Sequence, residues 1–214
     1  MPLAIRALSD RVYEVLRERL VAGELGERAV RQDALAQELG VSKIPVREAL
    51  SRLAQDGLLM RIPNRGWFVC PLSMGEAEEI YALRLAIEPQ AAAQACESAT
   101  AAEREAVKSA YKALEAATRS DLSALARHNR EFHLALATTE TQPLTRRLIE
   151  QLALLAERYV AQHLRPHGRS DRARSEHAAL HAAWIAGDST QVATLLTAHI
   201  GGTLDDLRQQ LGDG

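Results

Sequence analysis

Residues 33–68, DALAQELGVSKIPVREALSRLAQDGLLMRIPNRGWF, constrain this chain more than any other stretch. Leu35, Ala36 and Leu39 recur at helical spacing and give Asp33–Leu39 one apolar face. Gly40 follows, where a helix commonly ends in a left-handed residue. Ser42 is placed to cap a second helix by accepting a backbone N–H. Pro45 falls in that helix's first turn, where a missing N–H costs nothing. Val46, Ala49, Leu50 and Leu53 form its buried stripe, and Gly57 closes it. Leu58–Ile62 and Gly66–Cys70 then read as two strands joined by Pro63-Asn64-Arg65-Gly66. An ordinary helical hairpin with a solvated basic face shares the first half of this pattern. The wing favours a winged helix-turn-helix, which lays its second helix in the major groove of DNA.

Lys43 and Arg47 lie four residues apart and share a face, turned at least a right angle from the apolar stripe. They stand at the N-terminal end of the second helix, the end that reads bases in this motif. Arg52 is one turn beyond Glu48 and is expected to pair with it. Arg65, at the tip of the turn, suits a phosphate or the minor groove.

The segments LGVSKIPVREALSRLAQDGLL and PNRGWFV resemble the DNA-binding domain of the GntR family of bacterial transcription regulators, over Leu3 to about Pro71. The resemblance implies DNA contacts from Ser42, Lys43, Pro45, Arg47, Asn64, Arg65 and Gly66. Two positions depart from the family pattern. Lys43 stands where arginine is usual, and lysine does not grip guanine in a bidentate way. Asp33 stands where a DNA-contacting arginine is often found. Both departures bear on the operator sequence rather than on DNA binding itself.

A length of 214 residues suits one large or two small domains. No apolar run is long enough to cross a membrane. The N-terminal MPLAIRALSDRVYEVL reads as an amphipathic helix and lacks a signal peptide's apolar core, so a cytoplasmic protein with no membrane partner is expected. Cys70 and Cys96 have no metal-ligand spacing and read as two reduced thiols. The net charge of −2 does not suggest a nucleic-acid partner, but its distribution is more useful. Residues 1–72 hold 11 Lys+Arg against 9 Asp+Glu, and residues 73–214 hold 15 against 19. DNA binding would have to come from a local basic face.

The boundary is expected at Pro71-Leu72-Ser73, giving a DNA-binding domain over 1–71 and an effector and dimerisation domain over 72–214. Ser73 and Glu76 read as a capping box opening a long helix. Helices are expected near 73–97, 100–118, 121–139, 142–164, 169–186 and 188–211. The breaks fall at Ser98-Ala99-Thr100, Ser120-Asp121, Thr141-Gln142-Pro143, Pro166-His167-Gly168 and Gly187-Asp188. Alanine is abundant, aromatics are 4% of the chain, and no segment alternates with a strand's period. The expected fold class is therefore mainly α, a winged helix-turn-helix followed by an all-α bundle.

The chemistry of the second domain lies in its histidines. Asn129 and His133, four apart, share one helical face; His177 and His199 lie on two further helices. Three imidazoles and one oxygen ligand converging in a bundle core would bind a divalent metal. Imidazole suits zinc, nickel, copper or iron alike. The plainer reading is of surface or satisfied core histidines, and His128, His163, His167 and His181 compete. His128 points about 100° away from Asn129. His163 and His167 border a basic loop with Arg165 and Arg169. His181 shares a face with His177. Arg84, between Leu83 and Leu85, has a routine helical partner in Glu88.

NREFHLAL, EHAALHAAWIAGD and AHI resemble the C-terminal FCD-type effector domain of the FadR subfamily of GntR regulators, over Ser73 to about Leu211. The resemblance implies metal ligation by Asn129, His133, His177 and His199, with Asn129 in place of the commoner Asp, and zinc or nickel as the expected ion. A neutral first ligand donates less charge and lowers the expected affinity. Six helices match the VanR-like six-helix branch. The resemblance also turns Arg84 toward a pocket, where a guanidinium grips a ligand carboxylate.

The resulting expectation is a homodimeric repressor on double-stranded DNA with a palindromic operator, released or retained by a small carboxylate bound at the metal site. The alternative is a metal-dependent enzyme acting on small carboxylates, since open coordination positions also serve catalysis. Against it, no carboxylate is spaced as in H-E-x-x-H, and no phosphate loop or nucleophile motif occurs. A DNA-binding architectural protein that senses nothing is a third possibility.

Overall fold

The apolar spacings of the first domain build three helices, α1 (Pro2–Ala22), α2 (Gln32–Glu38) and α3 (Lys43–Gln55), followed by strands β1 (Leu59–Ile62) and β2 (Gly66–Val69). This computed structural model describes residues 2–26, 29–117, 121–139, 142–163 and 169–211. The expected breaks at Ser120, Thr141 and Pro166-His167-Gly168, together with Arg165, lie outside the described residues, as do the side chains of His163 and Arg169.

The stripe Val46, Ala49, Leu50 and Leu53 of α3 is buried, as its spacing demands, and α3 packs on α1, whose Val12, Leu16 and Leu20 are buried too. Gly40 joins α2 to α3 at φ +65°. A Cβ there would meet open space, so glycine is favoured by the left-handed backbone and not by crowding. The Ser42 expectation needs correction. Ser42 takes the extended conformation of an N-cap, but its side chain makes no capping bond. The partner expected for Arg52 is also different. Arg52 pairs with Asp10 of α1 at 2.7 Å and lies 4.2 Å over the Tyr13 ring, while Glu48 accepts from Ser9. Packing of α1 on α3 outcompetes the helical i,i+4 neighbour.

The wing pairs Leu59 with Val69 through Ile62 with Gly66, antiparallel. Asn64 at φ +61° and Gly66 at φ +103° make the turn between them. Val30 adds an isolated bridge to Trp67, its N–H donating to the Trp67 carbonyl at 2.7 Å.

The second unit holds α4 (Met74–Ser98), α5 (Ala101–Ala116), α6 (Leu122–Ala137), α7 (Pro143–His163), α8 (Arg169–Ala186) and α9 (Ser189–Leu211). Contacts divide the chain into Met1–Pro71 and Leu72–Gly214. The alanines Ala77, Ala91, Ala92 and Ala95 of α4 are buried, and α4 packs most extensively along α9. Small side chains permit that close approach. Tyr81, Phe132, Leu136, Ile149, Leu180, Trp184 and Leu196 fill the centre. Trp184 satisfies its buried indole N–H on the Leu136 carbonyl at 3.0 Å.

Only half of the expected capping box at Ser73 forms. Ser73 Oγ accepts from the Glu76 N–H at 3.2 Å, but the Glu76 carboxylate accepts instead from the Tyr159 hydroxyl. Burial, then this bond, pushes the Tyr159 hydroxyl up to about 12. The complete box lies at α5, where Thr100 and Glu103 cap each other reciprocally. Replacing Thr100 by Ala is therefore expected to cost about 1 kcal/mol. Ser42→Ala, which removes no capping bond, is expected to stay within about 0.5 kcal/mol. Urea midpoints of the two variants check this, and a larger loss from Ser42→Ala would restore its side chain as a cap.

Candidate metal centre and nucleic-acid interface

In the first unit the sequence-selected polar residues lie at the surface. Ser42, Lys43 and Arg47 are exposed at the start of α3, and Asn64 and Arg65 are exposed at the wing tip. Gly66 is half-buried, and Pro45 is buried within its own unit. Arg65 lies 5.7 Å from the Phe68 ring centroid. The two positions that depart from the family pattern meet each other: Lys43 Nζ is 2.9 Å from Asp33 Oδ1.

In the second unit, α6 contributes Asn129 and His133, α8 contributes His177, and α9 contributes His199; all four are buried. The ligand nitrogens of the three histidines lie within 4.8 Å of one another. His177 Nε2 and His199 Nε2 are 3.3 Å apart. Two imidazole nitrogens on one tetrahedral zinc, each at about 2.0–2.1 Å, are separated by about 3.4 Å. Neither ring nitrogen of His133 has a hydrogen-bond partner among the described residues. Unsatisfied buried polar atoms are rare, and a neutral imidazole carries one lone pair that a cation would accept. Burial holds His133 well below the usual imidazole range, helped by His199, Arg84 and His177, and burial then His199 do the same for His177. Neutral rings are the form that ligates metal. Phe132 supports both rings, edge-on to His133 and His177 at centroid distances of 6.0 and 5.5 Å.

Asn129, His133 and His199 line a cavity with Tyr81, Arg84, Val160, Ala173, Ile200 and Thr203. Its volume of about 20 Å³ suits one water-sized occupant. Arg84 meets the helical partner expected from its spacing. It lines this cavity and also donates to Glu88, Nε to Oε1 at 2.6 Å and Nη2 to Oε2 at 3.2 Å. Burial opposes the guanidinium charge, but the Glu88 carboxylate outweighs it and raises the Arg84 pKa. Tyr81, whose ring lies 5.1 Å from the guanidinium carbon, is pushed up to about 12 by burial.

The competing histidines fall elsewhere. His128 Nδ1 meets Glu131 at 2.9 Å, which also accounts for that carboxylate. His181 stacks on Tyr111, with centroids 4.2 Å apart, and is not among the cavity's lining residues. Spacing could have found two residues that were missed: Tyr81 lies one turn before Arg84, and Thr203 one turn after His199. Val160 and Ala173 carry no such signal.

Two family models match the chain. "Bacterial regulatory proteins, gntR family" covers residues 8–69, and "FCD domain" covers residues 79–202. The chain is 32% identical to the uncharacterized HTH-type transcriptional regulator BphR of Paraburkholderia xenovorans, over 98% of this chain and 89% of that one. The chain belongs to the GntR family. This GntR regulator is also 31% identical to the HTH-type transcriptional regulator McbR of Escherichia coli over 68% of its own length and 67% of McbR. The solved McbR/YncC structure superposes with a TM-score of 0.79, covering 95% of this chain and 98% of that one at 26% identity. A GntR-family regulator from Pseudomonas syringae gives 0.59 at 29% identity, covering 97% and 87%. The protein is thus a transcriptional regulator with a DNA-binding helix-turn-helix and a helical FCD domain, and the enzyme alternative has no support in these relatives. FCD domains often bind metal, and the three histidines are a group that could hold one.

The buried Arg84–Glu88 pair generates a prediction. Glu88→Ala leaves a buried guanidinium unpaired and is expected to cost about 3–5 kcal/mol, whereas Arg84→Met with Glu88→Leu together should cost far less. Equal losses in thermal unfolding of the two variants would contradict this.

Proposed function

We propose that this regulator is a metal-dependent sensor of a small carboxylate. His133, His177 and His199, with Asn129, would hold one divalent ion, zinc or nickel, and Arg84 would take the acid's carboxylate. The bound ion would supply a fixed positive charge with positions open to an anionic ligand. The observation that carries this reading is the convergence of three buried imidazoles from three helices beside Arg84, with both His133 nitrogens unpartnered. The six helices α4–α9 support placement in the six-helix, VanR-like branch of the FadR subfamily.

The enclosed space suits one water-sized occupant, so a carboxylic acid would enter with rearrangement of the groups that line it. Whatever preference the acid has for a DNA-incompetent arrangement would set how far operator affinity changes. As a homodimer, two copies of α3 and the wing would read a palindromic operator in the cytoplasm, with Ser42, Lys43, Pro45, Arg47, Asn64, Arg65 and Gly66 as the contact set, and repression as the default output. The exposure of Lys43, Arg47, Asn64 and Arg65 supports that set. Buried Pro45 would serve by shaping the first turn of α3.

The test is metal analysis of the purified protein, followed by binding to its own promoter DNA with and without a panel of small carboxylates. Stoichiometric zinc or nickel is expected, abolished in His133→Ala with His177→Ala, and one acid is expected to change DNA affinity only in the metal-loaded protein. Full metal occupancy in the double variant would remove the site; indifference to every acid would remove the sensor. Arg47→Ala is expected to weaken operator binding by more than about 1 kcal/mol. Unchanged affinity in fluorescence anisotropy would mean that a different surface reads the bases.

A further inference from the structure

We propose that Glu176 is the residue that makes His199 a metal ligand. This inference rests on the metal reading above and assigns a role within that site. His177 is the ligand that spacing singles out on α8, and Glu176 immediately precedes it. Being about 100° further round the helix, Glu176 reaches α9 instead of the cavity. Its Oε2 lies 2.7 Å from His199 Nδ1. A carboxylate at that distance accepts the Nδ1 proton and leaves Nε2 with its lone pair free. Nε2 is the nitrogen that faces His177 Nε2 at 3.3 Å, and so the one that points into the cluster.

The carboxylate is itself held in place. Arg172, one turn earlier on α8, lies with Nε 3.3 Å from Glu176 Oε1. The Arg172 Nη2 group donates to Asp206 on α9. The sequence Asp206, Arg172, Glu176, His199 therefore crosses twice between α8 and α9, and it ends on a ligand nitrogen. His199 and Asp206 are seven residues apart, two helical turns, so both ends of this network lie along one side of α9. Glu176 acts as a positioning residue: it touches no metal and fixes both the tautomer and the ring plane of the histidine that does. His133 has no equivalent, since Glu88 Oε2, the carboxylate oxygen beside its Nδ1, is 4.0 Å away, beyond hydrogen-bond reach. The site thus combines one ligand oriented by a carboxylate with one held by packing alone.

The experiment has two readouts on the full chain. Zinc affinity is measured by competition with a chromophoric chelator for wild type, Glu176→Ala and Glu176→Gln. Long-range nitrogen–proton NMR of the zinc-free protein reads the His199 tautomer. Removing such a supporting group is expected to weaken zinc binding by about 10–100-fold in Glu176→Ala. Glu176→Gln, which keeps an acceptor oxygen, is expected to recover most of the loss. The wild-type His199 ring is expected to carry its proton on Nδ1 and to lose that preference in Glu176→Ala. Wild-type zinc affinity retained in Glu176→Ala, or a proton found on Nε2 in the wild type, would overturn the role of Glu176 and leave the metal site standing. A wild-type chain that binds no zinc or other divalent ion would overturn the metal reading and this inference with it. If Glu176→Ala does not fold, Glu176→Gln and the wild-type tautomer still decide.

Discussion

Three imidazoles and the Arg84–Glu88 pair are buried in a helical bundle whose core is otherwise mostly apolar, and their satisfaction is the main polar demand on the second domain. Arg84 and Glu88 settle each other across one turn of α4, and among the described residues these three histidines have no such charged partner within their own helices. Two of them lean on neighbours: His199 on Glu176, and His177 on His199. His133 has neither nitrogen satisfied. An unpaired buried polar group costs about 1–3 kcal/mol. Such a group at the meeting point of α6, α8 and α9 is a cost in stability that the proposed metal would offset.

The DNA-binding unit meets the opposite demand. Its core is plain, made from the stripe of α3 against α1, and its polar chemistry is arranged at the rim. Arg52 with Asp10, Tyr13 with Asp56, and Ser9 with Glu48 tie α1 to α3 and to the turn after it. These bonds use polar side chains on the α1 side of α3 and leave its N-terminal end, with Lys43 and Arg47, open to solvent. The exposed charge at this end of α3 is therefore set as much by which side chains are occupied elsewhere as by which are present.

Much of this was legible in the sequence because helical period and turn chemistry are local. The stripe of Val46, Ala49, Leu50 and Leu53, the left-handed Gly40 and Gly57, and the sharing of one face by Asn129 and His133 all follow from spacing. Partners across helices did not follow. Arg52 looked to Glu48 because that residue is one turn away, and found Asp10, which lies 42 positions back. Glu76 looked to Ser73 and found Tyr159, which is 83 positions on. Glu176 was visible only as the neighbour of His177, since nothing local places it against a ring 23 residues later. Long-range pairing is decided by how helices pack, and the period of a helix states which face is apolar without naming what it will meet.

The ion pair between Lys43 and Asp33 has a consequence for ionic strength. A lysine that approaches DNA free of partners displaces the cations condensed on a phosphate, and this release makes binding fall steeply with added salt. Lys43 arrives with an aspartate already 2.9 Å from its ammonium. As the proposed contact, it would bring little net charge to the duplex and release correspondingly few counterions. With a first domain only slightly basic, such a regulator would gain less from the polyanion as such, and its hold on DNA would rest more on base and shape complementarity.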